Sequence, residues 1–215
     1  MTSPAARVSR RWVQSAVALA LTGCASLLGL GSAPHLYRVT SKSTYPANLL
    51  HPAEQLLVDV PLAPAGLDTS RIALSRSAVS IDYFADSAWT DRVPLLVQTA
   101  LFESFENGKA ITVIDRESVG LRADFILETE IRHFEAVYDS PNGAPNIWVA
   151  INARLVDPSG RDVVANASFE RRKQAPGNDI PKIVLAFDEA LGGVMEDIVL
   201  WTLRNPALSA KRRPL

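Results

Sequence analysis

Residues 123–138 read ADFILETEIRHFEAVY, and their alternation decides the kind of fold. Phe125, Leu127, Thr129 and Ile131 face one way; Glu128, Glu130 and Arg132 face the other. That is the period-two pattern of a strand with one buried side. Beyond Arg132 the apolar residues change parity to Phe134, Ala136 and Tyr138, and one extra residue near His133, a β-bulge, produces such a shift. The two stretches that follow repeat the pattern. NIWVAINARLVD (146–157) alternates through Ile147, Val149, Ile151, Ala153 and Leu155. Asp157-Pro158-Ser159-Gly160 then turns the chain into DVVANASFERR (162–172), with Val163, Ala165, Ala167 and Phe169 inward. Strands apolar on one face and charged on the other predict a sheet covered on one side only.

Two helices supply the cover. In DRVPLLVQTALFESFE (91–106), Val93, Leu96, Val97, Ala100, Leu101, Ser104 and Phe105 recur at helical spacing. Asp91 or Thr90 is the expected cap, and Pro94 is tolerable in the first turn. The second helix is expected over residues 180–203, with Asn178 or Asp179 as cap and Pro181 in its first turn. Its stripe is Ile183, Ala186, Phe187, Ala190, Leu191, Val194, Ile198 and Trp201. Gly192-Gly193 in its middle costs about 1 kcal/mol per glycine relative to alanine. Close approach of helix to sheet is one reason for the pair, a kink or a ligand gap another. Upstream, HLYRVTSK (35–42) and QLLVDV (55–60) read as strands, and RIALSR (71–76) with AVSIDYF (78–84) as a strand pair about a tight Ser75-Arg76-Ser77 turn. The expected fold class is α+β, a largely antiparallel sheet with two long helices packed on one face.

The N-terminal end has a different character. RVSRR (7–11) leads into an apolar run, Trp12 to Leu21, and then Leu21-Thr22-Gly23-Cys24. A basic segment followed by an apolar one is the plan of a secretory signal. LTGC resembles the lipobox of bacterial lipoproteins, which places cleavage before Cys24 and acyl chains on it. More than one acyl chain exceeds the marginal membrane binding that a single chain provides. The alternative is an uncleaved span over residues 12–31, long enough to cross a bilayer but weakened by three glycines in its last nine positions. By analogy with enteric sorting, Ala25 after the cysteine sends the protein to the outer membrane, facing the periplasm. Cys24 is the chain's one cysteine, so a mature body without a free thiol suits an oxidising compartment. The expected organisation is a signal peptide over 1–23, a lipidated tether over 24–34, a domain over 35–204 and a basic flexible tail over 205–215.

The formal net charge of −1 hides an asymmetry, because Arg7, Arg10, Arg11, Lys211, Arg212 and Arg213 sit at the two ends. The remaining 16 basic residues face all 23 acidic ones. Such an acidic body offers no phosphate-neutralising surface, which argues against nucleic acid as a partner. His35, His51 and His133 are the only histidines, in no metal-ligating spacing; His133 reads as a strand histidine. No serine sits in a G-x-S-x-G elbow, and no phosphate-binding loop is present. No enzyme, metal or cofactor is expected. Tyr83, Phe84, Trp89 and Arg92 cluster before the first helix, outside its stripe. Exposed aromatic and arginine side chains anchor protein interfaces, so these four are candidate partner-binding residues. The competing reading has Trp89 capping the core at the start of the helix.

The order of these pieces resembles a known family. The lipobox is followed by YRVT, QLLVDVPLAPAGLDTSRIALS, SIDYFADSAWTDRVPLLVQTALFESFE, ADFILETEIRHFEAVY, ARLVDPSGRDVVANASFE and VLAFDEALGGVMEDIVLWTL. This is similar to the ABC-type transport auxiliary lipoproteins, which accompany mammalian-cell-entry (MCE) type lipid transporters of Gram-negative envelopes. Where family members often carry Arg before the tryptophan of the middle block, this chain has Ala88-Trp89. The resemblance implies a non-catalytic, outer-membrane-anchored component. It would dock an MCE protein, beside the ABC permease and ATPase, and aid lipid transfer. A homo-oligomer stays open. Alternatives are a lipid carrier holding an acyl chain between helices and sheet, or an assembly lipoprotein for lipopolysaccharide-type polymers.

Overall fold

A computed structural model describes residues 33–114, 122–140 and 143–210, without the side chains of 209 and 210. The leader, Cys24 and the basic residues 211–213 lie outside the described residues. From Pro34 onward the chain clusters into one unit. Its elements are β1 (His35–Tyr37), β2 (Gln55–Val58), β3 (Arg71–Ser77), β4 (Ser80–Trp89), α1 (Val93–Gly108), β5 (Thr112–Ile114), β6 (Phe125–Val137), β7 (Asn146–Asp157), β8 (Asp162–Gln174), α2 (Ile180–Leu203) and α3 (Pro206–Ala210).

The sheet is built around β6. One edge of β6 pairs antiparallel with β7, which pairs antiparallel with β8. Its other edge takes two strands in line, β2 along its first half and β3 along its last residues, both parallel to it. β5 extends the β2 branch in parallel, while β4 and then β1 extend the β3 branch. The expectation of a largely antiparallel sheet is therefore corrected: among the described residues four ladders are parallel and three antiparallel. Hairpins alone force antiparallel pairing. β2 and β3 are joined by a loop that leaves and rejoins the same edge without reversing, so both run with β6.

The expected bulge is present. Ile131 pairs with Ile151 but His133 with Ala150, which leaves Arg132 unopposed. Phe125, Leu127, Ile131, Phe134 and Ala136 consequently all lie in one core, each at most 2% exposed. Val163, by contrast, is 54% exposed. A second irregularity between Leu155 and Val156 slips the register of β8 and turns Val163 out of the inward row.

Both long helices pack into the core on the same face. All seven expected stripe residues of α1 are buried, along with Pro94. Its N-cap position is Arg92, without a side-chain cap; Asp91 instead accepts a bond from the Arg92 amide, 2.7 Å. On α2, Asp179 caps by accepting from the Lys182 amide, 3.2 Å. Its stripe is buried as far as Ile198, and half-buried Trp201 meets Phe169 edge-on at 5.7 Å. No described helix is long and apolar enough to cross a membrane. Residues 206–210, placed in the expected tail, form a helix. Asn205 Oδ1 accepts from the Ala207 amide, 3.0 Å, and starts a short helix whose Leu208 is fully buried.

The two glycines of α2 separate cleanly. A Cβ on Gly193 would stand 3.1 Å from the Arg171 guanidine nitrogen, whereas one on Gly192 would meet nothing. Gly193 thus lets the helix approach β8, where Arg171 pairs with Asp197 and Lys173 with Glu189. Gly192→Ala should raise stability by about 0.5–1 kcal/mol, because the added Cβ meets nothing and the helix loses only a backbone-entropy penalty. Gly193→Ala should gain less, since Arg171 must shift. Denaturant midpoints of the two variants check this.

Candidate functional site

Helices fill one face of the sheet; the other carries the polar side chains of β6, β7 and β8. At its centre Trp148 of β7 is held between neighbouring strands. The His133 ring stacks on it at 3.3 Å and 10°, and the Arg172 guanidinium lies 3.8 Å from its centroid on β8. Register explains the arrangement, since Arg172 is directly opposite Trp148 and Glu135 sits opposite it on β6. The bulge brings His133 onto the same face. His133 Nδ1 lies 2.7 Å from Glu135 Oε1, which fixes the imidazole plane. The result is a three-layer stack of planar groups, each immobilised by the next, of the kind that anchors interfaces without much loss of side-chain entropy.

Beside the stack lies a groove of about 870 Å³. One wall is the sheet at Arg132, His133, Glu135 and Trp148, the other the tip of the β3–β4 hairpin and the loop at Pro64–Leu67. Tyr138 closes its end: the hydroxyl donates to Asn178 Oδ1 at 2.6 Å, and burial pushes its pKa up against the opposing effect of Arg76. Further along, the segment after β2 runs beside β6, with Leu62 71% exposed over Glu128 and Glu130. The chemistry on offer is recognition by aromatic stacking, paired charges and scattered apolar side chains.

The four candidate residues at the start of α1 do not form one surface. Trp89 is 1% exposed, edge-on to Phe134 at 5.6 Å and to Phe187 at 5.3 Å. It is a keystone of the core, and its place among exposed partner-binding residues is withdrawn. Phe84 is half-buried on the helix side against Tyr138. Tyr83 faces the opposite way: its hydroxyl donates to the Gly66 carbonyl at 3.0 Å, and Arg71 lies over its ring at 3.9 Å. Only Arg92 is broadly exposed, and it pairs with Asp68 to tie the loop to the helix start. The parity of β4 explains the split. Ala73 pairs with Tyr83 and Arg71 with Ala88, so β4 spends three extra residues there, including Asp86 at φ 52°. Cys24 lies outside the described residues.

The residues that do share a surface, Trp148, Arg172 and Glu135, were not singled out by the sequence reading, and His133 was read only as a strand histidine. A signal existed: Trp148 is an aromatic at a position of the polar row.

Comparison with known proteins places the fold. A protein of Bradyrhizobium diazoefficiens, bll6063, is 31% identical over 187 residues, covering 85% of this chain; the chain spans 49% of that relative's length. The crystal structure of XCC0632 from Xanthomonas campestris, of the family DUF330, superposes with a TM-score of 0.75 at 24% identity, over 82% of this chain and 98% of that one. A second crystal structure superposes at 0.61 with 14% identity, over 78% and 97% of the two chains. Both show the same fold. The family model for the ABC-type transport auxiliary lipoprotein component matches residues 37–199, from β1 to near the end of α2. The chain belongs to the family of ABC-type transport auxiliary lipoprotein components.

Proposed function

We propose that the protein is a lipid-anchored, non-catalytic subunit that holds an MCE-type periplasmic protein through the uncovered face of its sheet. Acyl chains on Cys24 tether it to the outer membrane, on the periplasmic side. The ABC permease and ATPase supply the energy, and this subunit assists the passage of lipid between membranes. One observation carries the reading: the Trp148 stack, pinned by His133 and Arg172, stands on the face that no helix covers among the described residues. An auxiliary role in transport is what the family description supports.

The carrier alternative is less favoured. Val194, Met195, Ile198 and Val199 of α2 are fully buried in the core that α2 shares with the sheet, at 0% exposure, leaving that interface filled by side chains. Trp148→Ala tests the docking reading. Trp148 is half-buried and outside the hydrophobic core, and a cation–π contact near the surface contributes about 0.5–1 kcal/mol to folding, so the variant should stay folded. As an interface anchor it should lose about 2 kcal/mol or more of binding, roughly a thirtyfold weaker complex. Unchanged co-purification with the MCE protein would contradict the proposal.

A further inference from the structure

The turn of the β3–β4 hairpin is Ala78-Val79, between Ser77 and Ser80, whose hydroxyls lie 2.8 Å apart. Two-residue turns favour asparagine and glycine, and a β-branched residue there has no benefit for the turn. Val79 is nevertheless 96% exposed, with Ile81 40% exposed behind it. The stretch Ser-Arg-Ser-Ala-Val-Ser-Ile (75–81) carries a single charge, that of exposed Arg76.

Topology says where this tip points. β1 runs parallel to β4, with Leu36 beside Ala88, and Ala88 is opposite Arg71. The chain therefore enters β1 from the side of the tip. From Arg71 to Ser77 the hairpin advances six residues, about 20 Å, past Leu36 in that direction. Ten residues separate Cys24 from His35, a reach over eleven steps of at most roughly 36–40 Å. A tether of that reach exceeds the projection of the tip, so a membrane that holds Cys24 is within range of the tip.

We propose that the Ala78-Val79 tip of the β3–β4 hairpin rests in the surface of the bilayer that carries the lipid anchor. The occupant is a lipid surface: Val79 and Ile81 enter the acyl boundary and Arg76 meets the headgroups. This rests on the acylation of Cys24. A small apolar contact suffices because the anchor makes it intramolecular, at high effective concentration. The contact also sets orientation, with the β6 end of the sheet and its groove toward the membrane and the β7–β8 turn away from it.

The test uses the full acylated chain in phosphatidylethanolamine–phosphatidylglycerol vesicles. Acylation blocks Cys24, so Val79→Cys supplies one free thiol for an environment-sensitive fluorophore. Ser159→Cys, in the β7–β8 turn at the opposite end of the sheet, is the control. The expected result is a blue shift and quenching by shallow nitroxide lipids at position 79, with neither at 159. Protein that floats with the vesicles while its position 79 label stays water-like overturns the tip contact, as does equal quenching at both positions. Protein that does not float overturns the acylation reading, and the tip contact with it.

Discussion

Trp89→Ala should cost the domain about 3–5 kcal/mol, the range for truncating a large buried aromatic. The ring touches Phe134 of β6 and Phe187 of α2, and those two rings are 5.0 Å apart. Alanine would leave a cavity where strand, helix and sheet meet, and aromatic edge contacts beyond the lost area would go with it. The indole Nε1 has no hydrogen-bond partner, so no polar bond is lost to complicate the reading. For a domain of this size the melting midpoint should fall by on the order of 10 °C. A variant with unchanged denaturant and thermal midpoints would show that the ring does not hold the core. Loss of partner binding in a destabilised Trp89→Ala variant would follow from unfolding and would report nothing about an interface.

Cys24→Ala should abolish acylation of the protein. Each buried methylene contributes about 0.8 kcal/mol, so losing several acyl chains abolishes the anchor and does not merely weaken it. The variant should accumulate as a precursor that incorporates no labelled palmitate. Continued incorporation would contradict acylation at this residue. If residues 12–31 instead remain as an uncleaved span, the wild-type chain incorporates no palmitate and runs at the same size as the variant, so labelling and size of the wild type separate the two readings.

The helical stripes were legible because six apolar positions and Ser104 at 3.6-residue spacing in α1 leave one solution, and all seven are buried. The bulge beside His133 was legible for the same kind of reason, since a change of parity within a long strand needs one extra residue. Partner direction was not. Alternation records which face is buried and is silent on whether the neighbour runs up or down, so the parallel ladders of β2 and β3 with β6 had no signature. The turn was placed two residues early, since Ala78-Val79 carries neither glycine nor asparagine. Position alone left Trp89 open between partner surface and core: a period of two counted from Tyr83 would put both on one face, and the three extra residues around Asp86 turn Trp89 inward. The Trp148 stack needed register across three strands, which no single segment contains. Helix α3 is five residues long and rests on one buried leucine, too little for periodicity to show.

The central claim is that the uncovered sheet face, and not the helix face, meets the transporter. A photo-crosslinking residue at Ser168, exposed on β8, reads the first surface; one at Leu185, 51% exposed on α2, reads the second. In cells carrying the transport system, the account predicts a crosslink from Ser168 to the MCE-type protein and none from Leu185. A crosslink from Leu185 with none from Ser168 would contradict it.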